Sequence, residues 1–115
     1  VEGGDVALRK TTLRAIGAIG SEESTQSVAD QLVDDDAEVR STAARALGLI
    51  GDTRAVDPLA RVLAEDDADE VRASAAWALN QIGTERARDV VAEYTDDTAY
   101  IVQIEAEKAA TEPAA

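Results

Sequence analysis

One phrase occurs three times along this chain at a nearly constant spacing. Residues 38–51 read EVRSTAARALGLIG, residues 70–83 read EVRASAAWALNQIG, and residues 7–20 read ALRKTTLRAIGAIG. Placing Arg9 in register with Arg40 and Arg72 makes the copies 31 and 32 residues apart. A period of this length predicts small helical or strand units that stack on one another rather than a single closed core.

Each copy predicts an amphipathic helix that stops at a glycine. In residues 38–51, Val39, Ala43 and Leu47 return to one face of a helix with 3.6 residues per turn. Gly51 follows this apolar stripe, and glycine adopts the left-handed conformation that ends many helices. The repeated phrase is therefore a helix with its own stop signal.

A second helix is expected after each of these glycines. The next residues are Ser21, Asp52 and Thr84, which are favourable helix N-caps. We expect the second helices over residues 22–33, 53–65 and 85–95. Acidic turns then close the units at residues 34–36, 65–67 and 96–97.

The composition excludes most catalytic chemistry. The chain has no Cys and no His, which excludes thiolate and imidazole metal sites as well as nucleophile–histidine catalysis. The acidic run at 34–36 lacks the alternating pattern of a calcium-binding loop. We expect a protein that is not an enzyme and has no metal site and no cofactor.

The net charge indicates which classes of partner the chain is expected to bind. With 24 acidic and 11 basic residues the net charge is −13, which argues against nucleic acid as a partner. A surface adapted to concentrated salt, as in a halophilic organism, is the favoured explanation, and an acidic docking surface is the alternative. No apolar run is long enough to span a membrane and no signal peptide is visible, so we expect no membrane partner and a cytoplasmic location.

The stretch 52–83 resembles a HEAT repeat, close to the variety first noted in phycobilisome-lyase proteins. The matching positions are Pro58 in the first helix, Asp66 in the turn, and Val71-Arg72 at the start of the second helix. The stretch 21–51 matches at its turn Asp and at Val-Arg but lacks the Pro.

In the last unit the same pattern is only partly kept. That unit has Asp96 in the turn and Ile101 at the Val position, which places Val102 where Arg belongs. Its second helix is expected to be divergent or to cap the array.

The resemblance implies an all-α, right-handed α-α superhelix, a HEAT/armadillo-like solenoid of about three and a half repeats and seven helices. A single domain is expected over residues 1–110, with a flexible tail at 111–115. Its units are a half repeat, 5–20, and the repeats 21–51, 52–83 and 84–110. Because the first unit lacks its first helix, we expect the chain to be a piece of a longer array.

The resemblance also implies a structural role for the turn acids. Asp34 and Asp66 should form a ladder of charge-assisted hydrogen bonds with Arg40 and Arg72 along the repeats, and Pro58 belongs to the same structural set. Such residues are expected to stabilise the stack rather than to bind a ligand.

The candidate binding residues lie on the other face of the repeated helix. Arg14, Arg45, Trp77 and Glu107 align there, one per unit, and the resemblance places this row on the concave side of the solenoid. Neighbouring candidates are Lys10, Ser41 and Gln81. Arg and Trp are common at the energetic centres of interfaces, so the row predicts a non-catalytic scaffold that binds an acidic or extended segment of a partner protein.

Three alternatives stay open for this face. One is a purely architectural spacer, which predicts no patch of distinct chemistry there. Trp77 could pack sideways near Ile104 or Tyr100 while the arginines pair with local acids. The protein could also be an accessory or lyase-like subunit that binds a small ligand or chromophore. The oligomeric state is open.

Overall fold

Helices account for all the regular structure between residues 2 and 111. In the computed structural model, which describes residues 2–111 and the side chains of residues 5–111, the chain forms seven α-helices. These are α1 (Glu2–Ile19), α2 (Thr25–Ala29), α3 (Ala37–Ile50), α4 (Val56–Glu65), α5 (Asp69–Ile82), α6 (Glu85–Ala92) and α7 (Tyr100–Thr111). The all-α solenoid with seven helices is confirmed.

The helices form two layers. Helices α1, α3, α5 and α7 pack side by side in chain order, and we call them the B layer. Helices α2, α4 and α6 pack against their following B helices and form the A layer. The described part measures 43 × 29 × 18 Å, as expected for a short two-layer stack that is longest along one axis.

Local sequence sets the ends of the B helices. The Asp36 carboxylate accepts hydrogen bonds from the amides of Glu38 and Val39 and so caps the start of α3. At its end Gly51 has φ 76°, a left-handed conformation that costs glycine little. Helix α5 ends in the same way at Gly83, with φ 73°.

The A helices are less regular than the sequence predicts. The expected helix over 22–33 contains two 3-10 turns, Glu22–Ser24 and Asp30–Val33, on either side of the five-residue α2. The expected helix over 85–95 ends at Ala92. Thr111, predicted to begin a flexible tail, belongs to α7, and residues 112–115 lie outside the described residues.

Small residues let the B helices approach closely. A Cβ on Gly48 would lie 2.8 Å from the Cα of Ala78 on the next B helix, and a Cβ on Gly17 would lie 3.0 Å from the Cα of Ala46. The core between the layers is filled by larger side chains, with Leu47, Leu59 and Leu79 all fully buried. Each unit therefore buries its apolar residues only by stacking on its neighbours.

At the α1 end the stack is open. Leu8 and Ile19 align with Val39 and Ile50 of α3, yet they are 65% and 78% exposed where their counterparts are 0% and 9% exposed. The difference arises because α3 is covered by α2, whereas α1 has no A helix of its own among residues 2–111.

Candidate protein-interaction groove

A groove runs across the B layer on the side away from the A layer. It has two compartments that share Arg45 and Trp77 in their linings. The first compartment, of about 500 Å³, centres on α3 and is lined chiefly by Lys10, Arg14, Glu38, Thr42, Arg45 and Leu49. The second compartment, of about 440 Å³, centres on α5 and is lined chiefly by Glu70, Ala73, Trp77, Ile101, Ile104 and Glu105.

The wall between the compartments is a cation–π stack. The guanidinium carbon of Arg45 lies 4.9 Å from the centroid of the Trp77 ring, within the range of a favourable cation–π contact. An edge of the same indole approaches the α3 backbone, because Trp77 Cζ3 lies 2.8 Å from the place where a Cβ on Gly48 would be. Gly48 thus makes room for the indole, and the indole in turn positions Arg45.

This arrangement bears on the alternative in which Trp77 packs sideways. The ring contacts α3 at Gly48 while also lining the second compartment beside Ile104. Tyr100 is 73% exposed and does not line either compartment. Arg45, which that alternative pairs with a local acid, stacks on Trp77 instead.

Basic groups without ionic partners lie in the first compartment. Seven of the eleven basic side chains form ion pairs with described acids. Arg14 and Arg45 form none with any acidic side chain of residues 5–111, and both are exposed. In a chain with more than twice as many acids as bases, two unpaired arginines on one face are a local departure from the average surface.

The remaining predicted groove residues have different environments. Lys10 forms an ion pair with Glu38, with 2.9 Å between Nζ and Oε2. Ser41 lies between α3 and α5, with its Oγ 2.6 Å from the Oγ of Ser74. Gln81 is exposed but lines neither compartment. The structure therefore brings together Lys10, Arg14, Ser41, Arg45 and Trp77, with Ser41 lining both compartments, but leaves Gln81 outside.

The last member of the predicted row is a different residue in the structure. Asp97, not Asp96, occupies the turn position, because its carboxylate accepts from the amide two residues later just as those of Asp34 and Asp66 do. Counting from Asp97 places Gln103 at the Arg position and Lys108 in the row.

The predicted Glu107 instead aligns with the buried Ala44 and Ala76. It is exposed because α7 is the last B helix of the described part. The prediction of Glu107 in the row was therefore wrong by one residue.

A ladder of ion pairs joins successive units on the turn side of the B layer. One arginine in each of the first three B helices reaches the turn acid of the next unit: Arg9 to Asp34 at 3.3 Å, Arg40 to Asp66 at 2.9 Å, and Arg72 to Asp97 at 3.1 Å. The repeats of the sequence place Arg9 in register with Arg40 and Arg72, but neither Arg9 nor Asp97 was predicted to belong to the ladder.

The inner members of the ladder are well enclosed. Arg40 also donates to the carbonyl oxygen of Asp34, at 2.9 Å, so its guanidinium bridges two turns. The hydrogen bond to Asp66 raises the pKa of Arg40 above its ordinary value, against the effect of burial. Burial acts to raise the pKa of Asp97, but hydrogen bonds from Arg72 and from the Ala99 amide outweigh it and lower that pKa. Pro58 lies in the first turn of α4 and takes no part in these contacts.

One buried network was missed from the sequence. Asp52, expected only as an N-cap, accepts from the amide and guanidinium of Arg54 and, at 2.8 Å, from the hydroxyl of Thr25 in the preceding unit. These bonds, with the Arg54 side chain first, hold the pKa of Asp52 well below its usual range. The sequence does carry a signal for part of this network, because Asp-x-Arg after a stop glycine places the carboxylate and the guanidinium in one turn.

The described residues show neither a metal cluster nor a membrane helix. No group of three or more acidic side chains within residues 5–111 is placed to hold a metal ion. None of the described helices is both long enough and apolar enough to cross a membrane.

The fold agrees with the comparison to known families. The sequence model of the HEAT repeats family matches residues 1–80 and 30–111. The chain therefore belongs to the HEAT-repeat family. A search of curated proteins gave no match to this chain. HEAT repeats generally mediate protein–protein contacts and are typically non-catalytic scaffolds.

Proposed function

We propose that this protein is a non-catalytic interaction module that binds an extended segment of a partner protein across the B-layer groove. The observation that carries the proposal is that Arg14 and Arg45, which pair with no acid of residues 5–111, lie on one exposed face with the Arg45–Trp77 stack. Leu49, which is 57% exposed, adds apolar surface beside these side chains. Arg and Trp side chains of this kind supply much of the binding energy at protein interfaces.

The shape of the groove favours a peptide over a small ligand. The lining of the first compartment includes five charged side chains and two hydroxyl groups beside its apolar residues, whereas small-molecule sites are lined predominantly by apolar groups with few polar ones. Two compartments side by side also extend the surface over all four B helices. An extended chain can follow such a surface, with neighbouring side chains entering successive compartments.

A selection from a random peptide display library tests the proposal without assuming the charge of the ligand. We expect immobilised wild-type protein to enrich peptides that a double variant, Arg45→Ala with Trp77→Ala, fails to enrich at equal helicity by circular dichroism. A matched control is Arg61→Ala, since Arg61 is exposed on α4 in the other layer and forms no ion pair with the acids of residues 5–111. Identical enrichment by the wild type and the double variant would refute peptide binding in the groove.

The finer assignments stay predictions. They are the phycobilisome-lyase subtype, a cytoplasmic location, a surface adapted to concentrated salt, and the absence of catalytic activity.

A further inference from the structure

The two compartments of the groove differ in chemistry. In the first, three bases (Lys10, Arg14 and Arg45) face two acids, Glu38 and Glu70. Since Glu38 already pairs with Lys10, two arginines and a single acid, Glu70, are left without an ion pair among residues 5–111, and the remaining balance is positive.

The second compartment has the opposite balance. Arg45 is the one base in its lining, beside the acids Glu70 and Glu105. Glu105 is engaged by Lys108 at 3.3 Å and by the Asn80 amide at 3.0 Å. What remains there is the exposed Glu70 and the apolar surface of Trp77, Ile101 and Ile104.

The spacing of the compartments follows from helix packing. The first is centred on α3 and the second on α5, so they are one B-helix spacing apart. Neighbouring packed helices lie about 8–10 Å apart. An extended chain advances about 3.3 Å per residue, so three residues cover that distance.

We infer that the groove recognises an extended peptide in which an acidic residue and a large apolar residue are three positions apart. This inference rests on the proposed function. The carboxylate meets Arg14 and Arg45 in the first compartment, and the apolar side chain lies against Trp77, Ile101 and Ile104 in the second. Charge complementarity selects the acidic group, because these two arginines are the groove cations without an ionic partner among residues 5–111.

Labelled synthetic peptides test the spacing. The probe is a short Gly/Ser peptide that carries two adjacent Asp residues and one Leu three positions away, made in both chain directions. The comparison peptide has the same composition with Leu directly beside Asp. By fluorescence anisotropy at low ionic strength we expect the spaced peptide, in one direction, to bind about fivefold more tightly, as partial burial of one leucine would give.

Variants then assign each end of the peptide. Arg14→Ala should weaken the spaced peptide by about two- to fivefold, the effect of one exposed charge pair, and Arg61→Ala should leave the affinity unchanged. Ile101→Asp, at a site 48% exposed, should remove the preference for the spaced peptide without disturbing the core. Equal binding of the spaced and adjacent peptides, equal effects of the Arg14 and Arg61 substitutions, or no binding at all would overturn the inference.

Failure of this inference can be distinguished from failure of the proposed function. If the display library yields peptides that require Arg45 and Trp77 but carry no acid–apolar spacing, the groove binds peptides and only the inferred motif is wrong. If no library peptide depends on these two residues, the proposed function fails.

Discussion

At the scale of single residues, Gly48 joins the packing of the stack to the groove. Its missing side chain admits both the Cα of Ala78 and the edge of the Trp77 indole. Gly48→Ala should lower the free energy of unfolding by about 1–3 kcal/mol, the usual cost of overpacking. This is expected although alanine is a better helix former than glycine by about 1 kcal/mol.

Chemical denaturation measures this change. Ala64→Gly, at an exposed position in α4, is the matched control, because it reports helix propensity alone and should cost about 1 kcal/mol. A Gly48→Ala protein as stable as the wild type would contradict the close approach of α3 and α5.

Asp52 predicts a pH dependence. Its pKa is lowered in the folded protein, so its charge stabilises the fold above the unfolded-state pKa of about 3.9 and loses that effect as the pH falls below it. Asp52→Asn keeps a capping side chain but removes the charge. We expect the melting temperature of this variant to be below that of the wild type at neutral pH and to approach it as the pH falls below about 4.

The control is Asp89→Asn, on the exposed side of α6. The melting temperature of this control variant should differ little from that of the wild type at every pH. A constant gap between Asp52→Asn and the wild type from neutral to acidic pH would show that the Asp52 charge contributes nothing.

At the scale of elements, the ladder links each B helix to the next turn. Arg40→Ala removes two hydrogen bonds to Asp66 and two to turn carbonyl oxygens. We expect the free energy of unfolding to fall by about 1–3 kcal/mol, since these bonds are charge-assisted and partly buried. Thermal unfolding should show the loss, with Arg61→Ala as a control within about 0.5 kcal/mol of the wild type. An effect of Arg40→Ala on ligand binding alone, at unchanged stability, would contradict a structural role.

The helices differ in how fully the sequence predicts them. Helices α3 and α5 are predictable because the apolar period and the stop glycine agree in both. The register of the last unit is not predictable, because its Arg is replaced by Gln103 and two adjacent aspartates compete for the turn. Gln103 still donates to the carbonyl oxygen of Asp97, as Arg72 does to that of Asp66. The bond to the backbone is thus kept while the charge that marks the register in the sequence is lost.

The groove is predictable only in part, for a related reason. Helical periodicity places Arg14, Arg45 and Trp77 on one face, but it does not show which acids are free to neutralise them. That depends on contacts between units, such as the pairing of Lys10 with Glu38 across 28 residues. The division into two compartments also depends on the glycine that admits Trp77, a contact between neighbouring helices that periodicity does not reveal.

At the scale of the whole molecule, the net charge of −13 opposes compaction. Added salt screens repulsion among exposed carboxylates over distances of about 10 Å at 0.1 M and about 3 Å at 1 M. We expect the melting temperature to rise as NaCl is increased from low to molar concentration, as measured by circular dichroism. A melting temperature that falls over this range would mean that the ion pairs of the ladder outweigh the repulsion.

The unpaired arginines of the groove also have a kinetic consequence. An acidic ligand approaching from a distance meets the negative field of the whole protein and reaches Arg14 and Arg45 only at close range. Salt should therefore speed association, the reverse of complexes whose partners attract each other at long range. Dissociation should also become faster, because the local charge pairs are screened. The protein would then select its ligand by contact inside the groove rather than by attraction during the encounter.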